Sequence, residues 1–224
     1  FGGVGVHLGE DAIHLREALL VALGRLGNGV GGEDRGEHFP AEAQMLDARH
    51  EHLHHEDARL ADDLYLWTGA DRTRSFREWR LLRQLRAWGL PVPTPVAARY
   101  QRAGLFYRAD LITAELPVRR TLAQALQQAS LPDGTWHAIG QCVGSLHARG
   151  VQHADLNAHN LLVGASNDIY VLDFDRGRIR ARGAWERAVL ARLRRSLRKV
   201  TAGQPAERFT EAHWQALLAG AGAG

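Results

Sequence analysis

Two polar strings sit at the outer ends of a short apolar pair. His153-Ala-Asp155-Leu-Asn157-Ala-His-Asn160 runs straight into Leu161-Leu162-Val163; a turn at Gly164 to Asn167 follows, and Ile169-Tyr-Val-Leu172 leads into Asp173-Phe174-Asp175. Apolar runs this short, bounded by turn residues, read as strands. Two strands around a tight turn bring the chain back on itself, so three carboxylates, two amides and two histidines gather at the strand ends. A fold for this chain must provide a core for that pair and leave its polar end open.

The flanking sequence supplies the packing. Ser75 to Trp88 carries Phe76, Trp79, Leu82 and Leu85 at helical spacing with Arg and Glu on the other face, and Ser75 reads as its N-cap. Gly89 to Pro95 breaks that helix. Val96 to Tyr100 and Leu105 to Leu116 then read as a strand, a turn and a second strand. Thr121 to Ala129 and Trp136 to Arg149 read as helices, the second ending at Gly150, a residue suited to a left-handed cap. Trp185 to Val200 reads as a basic helix, and Ala219 to Gly224 as a low-complexity tail that frays. The class expected is α+β.

Residues 1–63 resist such a reading. Phe1 to Gly32 is glycine-rich around one apolar helix candidate, Ala12 to Leu26. Glu33 to Asp63 contains no Val, Ile, Thr, Tyr or Trp, so helix or disorder is expected there rather than strand.

Composition narrows the setting. At 224 residues the chain has room for one domain or a small two-lobed one. Cys142 is the only cysteine, which excludes an intrachain disulfide and points to a reducing compartment. No run of about 18 apolar residues and no export leader stand in the sequence, so a soluble or peripheral protein is expected. Lys199 is the only lysine among many arginines. Arginine suits bidentate phosphate and carboxylate contacts, and a GC-rich genome would enrich it as well.

The order and spacing of the two strings resemble the catalytic loop and metal-binding motif of protein kinases. Each alone is ordinary turn chemistry, since Asp and Asn stabilise turns; together, with the apolar runs between them, they favour a kinase-like site. Phosphoryl transfer depends on positioning a hydroxyl and offsetting charge on the transferred group. On that reading Asp155 accepts the hydroxyl proton, Asn160 and Asp173 hold Mg²⁺, and His153 fixes the loop by bonding backbone near Asp173. Asp175 stands where kinases carry glycine, adding a carboxylate near the metal or marking a different substrate class.

Read whole, HADLNAHN from His153 to Asn160 and DFDRG from Asp173 to Gly177 resemble the lipopolysaccharide kinase family, most closely the 3-deoxy-D-manno-octulosonic acid (Kdo) kinases. Tyr65 to Glu78 and Gly89 to Pro95 are similar to the same family, and protein kinases usually carry lysine where Asn157 stands. The resemblance spans Asp63 to Lys199. It implies a protein-kinase-like two-lobed fold with a divergent or incomplete N-terminal lobe over 1–115 and a catalytic lobe over 116–224. It further implies ATP and Mg²⁺, a lipid-linked Kdo acceptor, an anionic membrane surface at the cytoplasmic face of the bacterial inner membrane, and no nucleic acid. Glu78 matches the helix glutamate that pairs with a phosphate-gripping basic residue; the plain alternative is a solvated carboxylate beside Arg74 or Arg83. Glu78 and Asn157 are thus the expected nucleotide-side residues.

The resemblance breaks at Glu33 to Asp63, where the family's glycine-rich loop and basic strand residue are not matched. Gly27 to Gly32 could cover phosphates but reads as a plain loop, and Arg35, Arg49 and Arg59 are the nearest candidates to partner Glu78. A divergent nucleotide lobe and a shifted reading frame both account for the break. His50, His52, His54 and His55 read as a solvated charged helix rather than a zinc site. The Trp185 to Lys199 helix fits either an anionic lipid surface or a packed helix with solvated arginines. The rival functions are another small-molecule kinase, such as one acting on aminoglycosides, and a non-catalytic kinase-like binding module.

Overall fold

The computed structural model describes the backbone of residues 4–8 and, with side chains, residues 64–223. The Ala12 to Leu26 helix candidate, the Gly27 to Gly32 cluster, Arg35, Arg49, Arg59, the four histidines and the Glu33 to Asp63 segment lie outside the described residues.

The architecture is α+β. Eight strands, five helices and two 3₁₀ turns follow one another in the described residues. Strands β1 (Val4–Leu8), β2 (Tyr65–Leu66), β3 (Pro95–Ala103) and β4 (Phe106–Thr113) form an antiparallel sheet in the order β1-β3-β4-β2. β1 is a strand the sequence reading missed; it pairs along β3, with Val6 opposite Arg99. Helix α1 (Arg74–Ala87) packs on this sheet. Its N-cap is Thr73, whose hydroxyl donates to the Ala70 carbonyl at 2.8 Å. Ser75 instead lies buried in the first turn and donates to the Arg99 carbonyl at 2.8 Å, tying helix to strand.

Helices α2 (Leu122–Gln128) and α3 (Asp133–Ala148) come next, and Thr121 with Gln124 closes a reciprocal capping box at the start of α2. Gly150 follows α3 at φ 70°, the left-handed region expected of it. Two short ribbons carry the polar strings. β6 (Leu161–Val163) pairs antiparallel with β7 (Ile169–Val171), and β5 (Val151–Gln152) with β8 (Arg178–Ile179). At two residues each, β5 and β8 are too short to leave a periodic signal.

Helix α4 (Trp185–Val200) turns Val189, Leu190, Leu193 and Leu197 inward. Where a fraying tail was expected, residues 219–221 complete helix α5 (Glu211–Ala221), which crosses α3 so closely that a Cβ on Gly140 would stand 2.0 Å from the Leu217 carbonyl oxygen. One hydrophobic cluster runs from Leu82 and Leu85 of α1 through Trp136, Ile139 and Val143 of α3 to Leu193, Leu197 and Leu217, and it includes Leu156, Ala158 and Phe174 of the two strings. The polar loop is therefore bolted to the core by its own apolar members. No helix among the described residues is long and apolar enough to cross a membrane.

Candidate active site

The 153–160 loop is built backwards from the core. Leu156 and Ala158 are buried, the Ala158 N–H donates to the Ser196 hydroxyl of α4 at 3.0 Å, and the Ala158 carbonyl accepts from the Ala123 N–H of α2 at 3.0 Å. That anchoring leaves Asp155, Asn157 and Asn160 half-buried at the surface of the loop.

Leu172 latches the two strings together. Its carbonyl accepts a hydrogen bond from His153 Nε2 at 2.8 Å, and its N–H donates to the Asn160 carbonyl at 2.9 Å. Because a carbonyl can only accept, Nε2 carries the proton. His153 is buried against Phe174, ring centroids 4.9 Å apart, and burial holds its pKa below the ordinary imidazole value, with the Leu172 bond pulling the other way.

The latch delivers Asp173 in a left-handed conformation, φ 61°, costly for a residue with a Cβ and typical of functional sites. Its side chain is exposed and has no hydrogen-bond or ion-pair partner among the described residues. Asn160 Nδ2 donates to the Asp155 carbonyl at 3.2 Å, which leaves Oδ1 as its oxygen for a cation. Asn157 is used at both ends within the loop: Nδ2 donates to the Asp155 carbonyl at 2.9 Å and Oδ1 accepts from the His159 N–H at 2.8 Å.

Glu78, on the inner side of α1, accepts the Phe174 N–H at 2.9 Å. Among the described residues it joins no ion pair, with Arg74, Arg83 or any other. Burial pushes its carboxyl up to about 7; the Phe174 bond opposes this, and the charges of Asp173 and Asp175 add to it. Arg74, four residues earlier, pairs with Asp175 instead, bonds the Tyr65 hydroxyl and lies over the Tyr65 ring at 5.2 Å. With Oδ1 of Asp175 held by Arg74, only its other oxygen remains for a metal.

Ala154, Asp155, Asp173 and Asp175 line a cleft of about 760 Å³ together with Tyr65, Tyr107 and several arginines. Asp155 is paired there with Arg192 of α4. Sequence reasoning missed that partner: the two lie 37 residues apart, and no periodic pattern links them. Arg176 and Arg178, also missed, stood beside the Asp173 string and could have been noticed there.

Residues 31–220 match the Lipopolysaccharide kinase (Kdo/WaaP) family. The chain belongs to that family. Among curated relatives of this lipopolysaccharide kinase family member, a 3-deoxy-D-manno-octulosonic acid kinase of Photobacterium profundum is 42% identical over 162 residues, covering 72% of this chain and 68% of the relative. A protein of the same name from Xanthomonas axonopodis pv. citri is 46% identical over 151 residues, covering 67% of this chain and 60% of the relative. One from Xanthomonas euvesicatoria pv. vesicatoria gives the same figures. The chain thus spans about 60% of the length of the Xanthomonas relatives.

Proposed function

We propose that this kinase family member transfers the terminal phosphoryl group of ATP to a hydroxyl of Kdo on a lipid A precursor. The observation that carries the reading is the meeting of Asp155 and Asp173 in one cleft, held there by the Leu172 latch. The names and 42–46% identity of the relatives support Kdo as the acceptor sugar.

Asp155 takes the proton of the acceptor hydroxyl as its oxygen attacks the γ-phosphorus in line; the bond to the β-phosphate oxygen breaks and ADP leaves. His153 and Asn157 position that carboxylate by bracing the loop. Asn160 Oδ1 and the Asp173 carboxylate are the oxygens that would hold Mg²⁺, with Asp175 contributing its free oxygen. Among the described residues no three His, Cys, Asp or Glu side chains form a cage of their own. A pair of hard oxygens still fits Mg²⁺, which keeps waters and takes phosphate oxygens. The chemistry it supplies when bound is neutralisation of phosphate charge. Glu78 sets the Asp173 string against α1 from the nucleotide side.

Action from the inner face of the bacterial inner membrane belongs to the same proposal. The outward row Arg187, Arg195, Arg198 and Lys199 on α4 supports an anionic surface beside the cleft, although the helix buries its leucines and so offers charge rather than an apolar face.

The decisive assay is phosphate transfer from Mg²⁺-ATP to a Kdo-bearing lipid A precursor, with Asp155→Asn as control. Loss of the base should lower the rate by about 10²–10⁴-fold. Undiminished transfer by the variant would remove Asp155 from this role.

A further inference from the structure

Five arginines line the cleft: Arg72, Arg74, Arg77, Arg176 and Arg178. Arg74 is neutralised by Asp175. The other four are exposed, and among the described residues their guanidinium groups have no hydrogen-bond or ion-pair partner. Of the carboxylates that line the cleft, Asp155 is held by Arg192 and Asp175 by Arg74, and the third, Asp173, pairs with none of the four among the described residues. A concave wall with this surplus of guanidinium groups is complementary to an oxyanion, which arginine grips through paired parallel hydrogen bonds.

Their placement says which reactant carries that oxyanion. Arg178 stands opposite Gln152 in the β5–β8 ribbon, one residue before His153 and three before Asp155. Arg176 lies in the turn closed by the Gly177 N–H on the Phe174 carbonyl at 2.8 Å. Arg72 ends the 3₁₀ turn Ala70–Arg72, and Arg77 lies in the first turns of α1. Among the described residues the arginines share their cleft with Ala154 and Asp155 as well as with Asp173 and Asp175, so the basic wall borders the proposed base along with the metal-side carboxylates, and Arg178, paired through its strand with the one that leads into His153 and Asp155, ties it to the acceptor side.

We propose that Arg72, Arg77, Arg176 and Arg178 form a subsite that binds an acidic oxyanion of the acceptor, a sugar carboxylate or a lipid-borne phosphate, and so aligns its hydroxyl on Asp155. This rests on the reading of the chain as a kinase of an acidic glycolipid. The subsite supplies acceptor affinity and orientation, while the nucleotide's metal would be held by Asn160 and Asp173.

The test is equilibrium binding, read without turnover. Wild type, Arg176→Gln/Arg178→Gln and Arg72→Gln/Arg77→Gln are each titrated with a micellar Kdo-bearing lipid A precursor, its Kdo methyl ester and its phosphate-free form, and separately with Mg²⁺-ATP. Each double variant should weaken the intact acceptor by about tenfold or more while holding Mg²⁺-ATP within about twofold. At least one altered acceptor should bind wild type correspondingly less well: weak binding of the ester assigns the carboxylate, weak binding of the phosphate-free form the phosphate. Wild type that binds all three acceptors alike overturns the proposal without recourse to any variant, as does loss of Mg²⁺-ATP binding with acceptor binding intact. Selective acceptor binding by a wild type that transfers no phosphate would sink the kinase reading and leave the subsite standing.

Discussion

Glu78 accepts the backbone N–H of Phe174 at 2.9 Å, so a carboxylate on α1 fixes the peptide that follows Asp173. The side chain links the sheet-packed helix to the polar string without any intervening cation among the described residues. Burial holds its carboxyl near 7, well above its ordinary 4.5.

That displacement has a defined effect on stability. A native carboxyl that binds its proton more tightly than the unfolded one contributes stability fully present below about pH 4.5 and lost as pH rises through about 7. Glu78→Gln removes the titration. In protein treated with chelator, the stability of the variant relative to wild type should increase from about pH 5 to about pH 8, read by urea denaturation across that range. A flat difference would mean that Glu78 ionises normally.

The Arg192–Asp155 pair is exposed, at 45% and 38% of the side-chain surface, so its stabilising worth is about 0–1 kcal/mol. Its effect should be kinetic. Arg192→Ala frees the Asp155 carboxylate to leave its position, and we expect kcat to fall by about tenfold with the melting temperature nearly unchanged. Arg192→Lys should recover only part, because an ammonium does not reproduce the guanidinium fork. Equal kcat in all three proteins would show that the pair does not orient Asp155.

At the α3–α5 crossing the limit is steric. A Cβ on Gly140 meets backbone of Leu217 at 2.0 Å, and backbone cannot swing aside as a side chain can. Gly140→Ala should destabilise by about 1–3 kcal/mol or more, measured as a lower denaturation midpoint. An unchanged midpoint would mean that α5 does not pack there.

Cys142 is buried in the same core, and burial pushes its thiol up to about 12. Thiolate is the reactive form, so native protein should resist alkylation at about pH 8 and react fully once denatured. Rapid labelling of native protein would contradict the placement of α3.

The sequence readily yielded features that repeat over a few residues. Apolar spacing located α1, α3 and α4 to within a few residues, and the short runs at Leu161 and Ile169 identified the β6–β7 pair between its two polar strings. Elements without such a signal were lost: β1, the two-residue strands β5 and β8, and helix α5, whose last Ala and Gly residues resemble a tail until α3 lies against them. Ser75 had the chemistry of a cap, and the Arg99 carbonyl claimed it instead.

By itself the sequence determined which side chains stand at the polar end of the hairpin, because the short apolar runs and the anchors Leu156, Ala158 and Phe174 act over neighbouring residues. Only the tertiary structure decided their partners: Arg192 on Asp155, Arg74 on Asp175, Glu78 on the Phe174 N–H, and four arginines left facing a cleft. Those pairings join residues from 37 to 101 positions apart, where packing of one element on another sets the distance and no local periodicity records it.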